Sequence, residues 1–212
     1  PILLPKGARV IQTLQRFVED EEQKRGWLLT KTPYMAKSDL YKLSGHWDHY
    51  KNNMYTTVID EEDYAIKPMN CPGGVLVYAS EPRSYRDLPL RVGELGIVHR
   101  HEKSGQLHGL MRVRCFTQDD AHIFMRDDQI EDQIKGVTKL INEVYTQFGF
   151  EYFVELSTRP EDSMGSDEDW EMATEGLKRA LDDMGLDYIV NEGDGAFYGP
   201  KIDFHLRDSL GR

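Results

Sequence analysis

The sequence predicts an α+β fold in which a largely antiparallel sheet is flanked by helices. Apolar residues recur at helical spacing in three long segments, and strand-like segments separated by turn residues lie between them. The chain has 212 residues, of which 39% are hydrophobic and 30% are charged. A chain of this length and composition forms one large or two small domains, and its core needs no disulfide bonds.

Three helices are predicted from stripes of apolar residues. The first covers residues 8–24 and the second covers residues 127–148, and each is followed by a glycine that can end a helix. The third begins at Ser166, where Asp169 completes a cap of the S-x-x-[DE] type. Two shorter helices are predicted at residues 36–45 and 73–81.

Strand-like segments fill most of the remaining chain. They are residues 27–35 (interrupted by Pro33), 53–59, 64–68, 90–101, 111–122, 151–157, 187–191 and 201–208. The segments at 90–101 and 111–122 are long and are joined by a polar, glycine-containing loop. We therefore expect these two strands to pair as an antiparallel hairpin.

The second strand of this hairpin carries a row of functional side chains. Because side chains alternate along a strand, one face would present Arg112, Arg114, Phe116, Gln118, Asp120 and His122, which we call the polar row. The opposite face, from Val113 to Ile123, is mostly small or apolar and is expected to face a core. Arg100 and Glu102 would share a face of the first strand. Cations, a flat ring and acids together indicate a nucleotide site built on a sheet, and the alternative is a set of surface salt bridges on an edge hairpin.

The residue types and their spacing do not decide whether the protein binds a metal. The candidates are Cys71, Cys115, His46, His49, His99, His101, His108 and His122. No short-range metal signature is present, and alternation favours His122 over Cys115, which faces away from the polar row. The sequence also lacks the G-x-G-x-x-G, P-loop and G-x-S-x-G patterns.

Charge and cysteine content restrict the class of protein. The formal net charge is −11, so general binding to nucleic acid is not expected and any polyanion site would be a local basic pocket. Cys71 and Cys115 have no CxxC spacing, which favours a reducing compartment and a cytoplasmic location. Apolar runs are too short for a membrane span.

Five motifs then occur in a characteristic order: "KPMNCPG", "SYRDLPLR", "HRHEKSGQLHGLMRVRCFTQDDAHIF", "STRPEDSMGSDEDW" and "GDGAFYGPKIDF". They resemble the catalytic domain of the threonyl-tRNA synthetases, which are class II aminoacyl-tRNA synthetases. The resemblance implies a homodimer formed through the first class motif, at the helix through Lys24 and the strand to Pro33. It also implies that the hairpin at 90–125 is the second class motif.

The resemblance further implies the activity of the whole protein. It would be a threonine–tRNA ligase that activates threonine with ATP and transfers it to the acceptor end of tRNA(Thr). Residues 1–212 would be the catalytic core without the third class motif and the anticodon-binding domain, and this chain alone is expected to be inactive. The alternative from another class is a non-catalytic module that binds threonine or a nucleotide.

Roles in ATP binding follow from the matched motifs. By resemblance Arg100 holds the α-phosphate and the threonine carboxylate, Glu102 reads the adenine amino group, and Arg112 contacts the γ-phosphate. Phe116 stacks on adenine, and Mg²⁺ accompanies the phosphates. Lys201 assists near the carboxylate.

Roles in threonine binding come from the same resemblance. Cys71 and His122 are two of three zinc ligands, and the third lies outside this chain. Asp120 accepts a hydrogen bond from the threonine hydroxyl, while Gln118 and Tyr198 position the substrate. The sequence departs from the family at Gly74, where the residue after "NCPG" is usually His, so the local polarity of the pocket is expected to differ.

Overall fold

The computed structural model describes residues 1–208 and 210–211, and the chain divides into two compact units. The first unit is Pro1–Phe124 and the second is Met125–Arg212. Both combine helices with small, mainly antiparallel sheets, which confirms the predicted α+β class. Among the described residues, no helix is both long and apolar enough to cross a membrane.

The first unit contains four α-helices and six strands among its described residues. The helices are α1 (Pro5–Lys24), α2 (Ser38–Leu43), α3 (His46–His49) and α4 (Cys71–Ala79). The strands are β1 (Leu28–Leu29), β2 (Met35–Lys37), β3 (Tyr55–Ile59), β4 (Glu62–Ile66), β5 (Leu90–His99) and β6 (Cys115–Phe124).

A three-stranded sheet in the order β1-β5-β6 carries the predicted hairpin. Strands β5 and β6 pair antiparallel along their whole length, with Glu94 opposite Asp120 and Gly96 opposite Gln118. Strand β1 adds to β5 in parallel. Opposite residues share a face of the sheet, so Glu94 and Gly96 lie on the same face as the strand part of the polar row.

A second sheet has the order β2-β4-β3. Its small core joins Tyr41 of α2 to Met54 and Ala65, all of which are buried. The predicted strand at residues 27–35 is therefore split near Pro33. Its first part joins one sheet and the chain beyond it joins the other, because proline cannot donate a hydrogen bond to a continuous ladder.

The structure corrects two predictions about the hairpin. Strand β5 ends at His99 and β6 begins at Cys115, so Arg100, Glu102, Arg112 and Arg114 lie in the connecting loop and strand alternation does not orient them. The face of β6 that was expected to be covered is exposed from Cys115 to Ala121 at alternate positions, while the members of the polar row on β6, from Phe116 to His122, are half-buried. The prediction was wrong because residues 67–74 cover the polar face of the sheet instead.

The second unit builds a sheet of order β8-β7-β9 with two helices. Its elements are α5 (Ile130–Gln147), β7 (Tyr152–Ser157), α6 (Asp167–Asp183), β8 (Tyr188–Asn191) and β9 (Lys201–Leu206). Val154, Leu156 and Leu181 form the centre of its core. The predicted cap is confirmed, since Ser166 Oγ accepts a hydrogen bond of 3.1 Å from the Asp169 amide.

Candidate active site

A short segment before α4 lies over the polar face of the hairpin and is fixed by bonds from several elements. The His99 amide donates to the Lys67 carbonyl at 3.0 Å. Arg100 Nε donates to the Pro68 carbonyl at 3.2 Å, and His46 Nε2 lies 3.2 Å from Met69 Sδ. These contacts place the next two residues, Asn70 and Cys71, directly above strand β6.

Cys71, Asp120 and His122 meet at this point and form what we call the Cys–Asp–His cluster. One potential ligand atom from each residue lies within 4.8 Å of the other two. Asp120 and His122 are two residues apart on β6 and therefore project to one face. Thiolate, imidazole and carboxylate groups are the ligands that zinc prefers in proteins, so this donor set fits the expected metal.

Burial controls the protonation of the cysteine. It raises the pKa of the Cys71 thiol to about 11, the charge of Asp120 acts in the same direction, and Arg100 opposes them. The thiol is therefore protonated at neutral pH unless a cation binds beside it. Because a metal binds the thiolate form, loading the cluster would release this proton.

The arginine and aromatic members of the predicted site form a second group at the same end of the hairpin. The Arg100 guanidinium lies 5.2 Å from the centre of the Phe116 ring, within the range of a cation–π contact. Arg112 Nη1 lies 4.0 Å from Glu102 Oε2, and the Arg112 side chain is 56% exposed. Thus four residues predicted for ATP binding form two neighbouring pairs, although three of the four, Arg100, Glu102 and Arg112, lie in the loop and not on the predicted strands.

The remaining predicted residue of the first unit, Gln118, lies on β6 two residues before Asp120 and is half-buried. Alternation therefore puts it on the same face as the Cys–Asp–His cluster.

Tyr198 and Lys201 belong to the second unit. Tyr198 is 53% exposed and lies in the loop before β9. That loop is held to the end of β7, where the Gly195 amide donates to the Thr158 carbonyl at 2.7 Å. A Cβ at Gly195 would lie 2.4 Å from this carbonyl oxygen, so the close approach requires glycine.

Lys201 begins β9 and is bound to two carboxylates. Its Nζ donates to Asp203 at 2.6 Å and to Asp194 at 3.3 Å. Partial burial lowers the pKa of the Lys201 ammonium, but these acceptors outweigh that effect and the pKa is raised. The lysine is therefore a fixed cation at neutral pH.

A buried ion pair between Lys67, in the segment before α4, and Glu94 on β5 was not predicted from the sequence. Lys67 Nζ donates to Glu94 Oε1 at 2.8 Å, and both side chains are almost completely buried. Thr32 Oγ1 accepts from Lys67 at 2.9 Å, and the Thr32 amide donates to Glu94 at 3.0 Å. The available signal was a single glutamate set between Val92–Gly93 and Leu95–Gly96 in β5, since buried carboxylates are rare unless they are paired.

Two glycines of the site are surrounded closely. A Cβ at Gly74 would lie 2.9 Å from His122 Nδ1, and a Cβ at Gly96 would lie 2.2 Å from Asn70 Oδ1. Both distances are too short for a real carbon atom. Gly74, where a departure from the family pattern is expected, therefore leaves room for the His122 ring in this chain.

The opposite face of the sheet carries a pair of carboxyl groups. Glu22, near the end of α1, is 6% exposed. Burial and the nearby charge of Asp119 raise the pKa of Glu22 to about 8. Asp119 as a whole residue is exposed, but its carboxyl group lies against Glu22, and burial of that group raises its pKa as well. Glu22 therefore binds a proton at neutral pH.

This fold belongs to a known class of protein. Residues 55–212 match the family described as tRNA synthetase class II core domain (G, H, P, S and T), which is about three quarters of the chain. The chain therefore belongs to the class II tRNA synthetase core-domain family.

The individual relatives narrow the resemblance to the synthetases of one amino acid, threonine. The chain is 65% identical over all 212 residues to a threonine–tRNA ligase of Clostridium botulinum. It is also 65% identical to that of Acetivibrio thermocellus. A crystal structure described as the RNA binding domain of threonyl-tRNA synthetase from Cryptosporidium parvum superposes with a TM-score of 0.90 at 44% identity, covering 99% of this chain and 52% of the other. The resemblance to threonyl-tRNA synthetases is confirmed, and the chain spans 33% of the length of these curated relatives.

Proposed function

We propose that this chain is part of the catalytic domain of a threonine–tRNA ligase and takes part in activating threonine with ATP. The observation that carries the proposal is the Cys–Asp–His cluster, whose ligand atoms lie within 4.8 Å of one another. The Arg100–Phe116 pair beside it supplies a cation and a ring for a nucleotide. An amino acid bound at the cluster would thus lie next to ATP.

Zinc is the metal that we propose for the cluster, with Cys71 and His122 as ligands and a third ligand outside this chain. When bound, zinc supplies a Lewis-acidic centre that can take the amino and hydroxyl groups of threonine. Asp120 would accept a hydrogen bond from the hydroxyl. Valine has nearly the same shape as threonine but no hydroxyl, and a site that demands a hydroxyl can discriminate by roughly 10⁴-fold. Gln118, on the same face, would position the substrate.

ATP is proposed to bind across the open end of the hairpin with Mg²⁺ on its phosphates. Arg100 would neutralise the α-phosphate, Arg112 the γ-phosphate, and Phe116 would stack on adenine. Glu102 would accept a hydrogen bond from the adenine amino group. These residues would orient the threonine carboxylate and the α-phosphate, so that a carboxylate oxygen attacks phosphorus and pyrophosphate leaves.

Two residues of the second unit, Lys201 and Tyr198, are proposed to act on the substrate. Lys201 would contribute a positive charge near the threonine carboxylate, and its raised pKa keeps that charge at neutral pH. Tyr198 would position the substrate. After activation, threonine would pass to the acceptor end of tRNA(Thr).

A homodimer through α1 and β1 is also part of the proposal. Val10 on α1 is 58% exposed, and Leu28 and Leu29 on β1 are 54% and 50% exposed. Adjacent exposed apolar residues are typical of surfaces that a partner covers. The same proposal places the protein in the cytoplasm, where tRNA is charged.

Threonine-dependent ATP–pyrophosphate exchange tests the function. It should be measured on this chain and on the longer protein that carries it, and only the longer protein is expected to be active, because the third zinc ligand and the third class motif are proposed to lie outside residues 1–212. Tight binding of threonine and ATP by the longer protein without exchange would instead support the non-catalytic binding module.

Arg100→Ala in the active protein should lower kcat/KM. The loss of transition-state stabilisation should be roughly 3 kcal/mol or more, since charge develops on the α-phosphate. Exchange kinetics near those of the parent protein would remove the role assigned to Arg100.

Asp120→Ala separates two roles for this carboxylate. If Asp120 accepts a hydrogen bond from the threonine hydroxyl, the variant keeps its zinc. Its KM for threonine then rises steeply, and its KM for ATP changes little. Loss of zinc from the variant, measured by metal analysis after dialysis, would show that Asp120 is itself a ligand. Arg114→Ala is a suitable control, because Arg114 lies in the loop before β6, outside the Cys–Asp–His cluster, and its side chain donates to the Glu102 carbonyl and to Ser104 Oγ.

A further inference from the structure

Asn70 occupies a position where its side chain would ordinarily cap a helix. It is the residue before α4, and asparagine is favoured there because its side-chain oxygen can accept from the first turn of the helix. The Asn70 side chain makes no such bond among the described residues. It turns instead toward the sheet, where Nδ2 donates to Asp120 Oδ2 at 2.9 Å.

The environment of Asn70 makes this orientation costly to hold. The residue is 1% exposed, and its Oδ1 is buried without a hydrogen-bond partner among the described residues. The opposite amide orientation would put this oxygen against the Asp120 carboxylate, and two acceptors would then repel each other. The carboxamide fits only because Gly96 has no side chain, since a Cβ there would lie 2.2 Å from Oδ1. Asn70 therefore does not cap α4, and its Oδ1 has no hydrogen-bond partner among the described residues. The bond to Asp120 is the interaction that this orientation provides.

The backbone of Asn70 is also fixed on both sides. The preceding residues are held by His99, Arg100 and His46, as described above, and the Asn70 carbonyl accepts from the Gly74 amide at 3.0 Å. A donor on a rigid segment orients its acceptor more closely than a donor on a mobile loop would.

We propose that Asn70 is a positioning residue that sets the selectivity of the site for a hydroxyl-bearing amino acid. By occupying Oδ2 of Asp120, it fixes the carboxylate so that Oδ1 is directed to the substrate hydroxyl. Without Asn70 the carboxylate can rotate, and it can turn toward the metal position between Cys71 and His122. This inference rests on the proposed threonine activation and extends it to a residue that does not touch the substrate.

The test uses the longer protein that carries this chain, and it begins with Asn70→Ala. The KM for threonine should rise by roughly tenfold or more, which is the effect expected when a hydrogen bond to a charged group is lost. The KM for ATP should stay within about twofold, because Asn70 has no proposed part in ATP binding. The ratio of threonine to valine activation should fall. Asn52→Ala is the matched control, since Asn52 is exposed and should change none of these values.

A double-mutant cycle separates positioning from a general structural role. If Asn70 acts through Asp120, then adding Asn70→Ala to Asp120→Ala should change the threonine KM by less than about twofold. Effects that multiply in the double variant, or equal rises in the KM values for threonine and ATP, would overturn the inference. If Asn70→Ala does not fold, Asn70→Ser, which keeps a small polar side chain, provides the same measurements.

Two further measurements, zinc content and threonine-dependent exchange, separate this inference from the proposed function. The zinc content of the Asn70 variant should match that of the parent, and loss of zinc would overturn the inference by showing that Asn70 serves only to hold Cys71. An unsubstituted protein without threonine-dependent exchange would refute the proposed function and the inference together. Normal exchange in the parent with variants that behave like Asn52→Ala would refute the inference alone.

Discussion

Removing the cation of the buried Lys67–Glu94 pair should destabilise the first unit strongly. The two side chains are 4% and 6% exposed and are joined at 2.8 Å. Lys67→Met keeps most of the volume and leaves the Glu94 carboxylate buried without its counter-ion. Breaking a buried ion pair from one side costs about 3–5 kcal/mol. Because Thr32 still donates to Glu94 through its amide and its hydroxyl, we expect the lower part of this range.

A second substitution should recover much of this loss. Glu94→Gln removes the charge but keeps an oxygen that can accept from the Thr32 amide. The double variant Lys67→Met/Glu94→Gln should therefore be only about 1–2 kcal/mol less stable than the parent, since the largest penalty, the unpaired buried charge, is gone. The rescue would show that the single variant fails for an electrostatic reason and not because methionine packs badly.

Urea unfolding followed by tryptophan fluorescence can measure both effects. Trp27 and Trp47 report on the first unit, and Trp170→Phe in every variant removes the signal of the second unit. The comparison is made between free energies of unfolding at equal slope, so that the two-state treatment of the first unit can be checked. A single variant that loses less than about 1 kcal/mol, or a double variant no more stable than the single one, would refute this reasoning.

Two further predictions concern opposite faces of the same sheet. Because burial and Asp119 raise the pKa of Glu22 from 4.5 to about 8, the folded state binds more protons than the unfolded state between these values, and stability should fall as pH rises from 4.5 to 8. Glu22→Gln should flatten that dependence and stabilise the protein at pH 8 by roughly 1–3 kcal/mol, as measured by urea unfolding at several pH values; an unchanged pH profile would contradict the raised pKa. Gly74→Ala should weaken zinc retention by roughly tenfold, because the new Cβ displaces the His122 ring and an altered ligand orientation reduces metal affinity on this scale. Metal analysis after dialysis checks it against Gly105→Ala, a position with no described atom within 4 Å of the added carbon, and equal zinc content in the two variants would show that the His122 ring can move aside without loss of the metal.

Local rules in the sequence were enough for the isolated elements. The apolar stripe and the S-x-x-D pattern at Ser166 predicted α6 and its cap, and both are present. Alternation predicted that Phe116, Gln118, Asp120 and His122 share one face, and the uninterrupted antiparallel register of β6 agrees. These features depend on neighbours a few residues apart, so a single sequence contains the necessary information.

The sequence did not determine where the hairpin strands stop or which of their faces is covered. The strand ends at His99 and Cys115 depend on how the connecting loop is bonded, for example by the Arg114 side chain to the Glu102 carbonyl at 2.9 Å. The covered face depends on a segment more than twenty residues earlier in the chain. Hydrophobicity alone assigned the core to the wrong side because the polar row is covered by residues that bond to it rather than by apolar packing.

The sequence by itself determined the family and the residue types of the site, because the motifs that carry them are contiguous stretches of chain. The tertiary structure alone decided the contacts that prepare the site: Asn70 on Asp120, Lys67 on Glu94, and the space that Gly74 leaves for His122. Each of these joins residues that are 27 to 50 positions apart. No local pattern specifies such a pairing, because the partners are chosen by which elements the fold brings into contact and by the cost of burying a polar group without one.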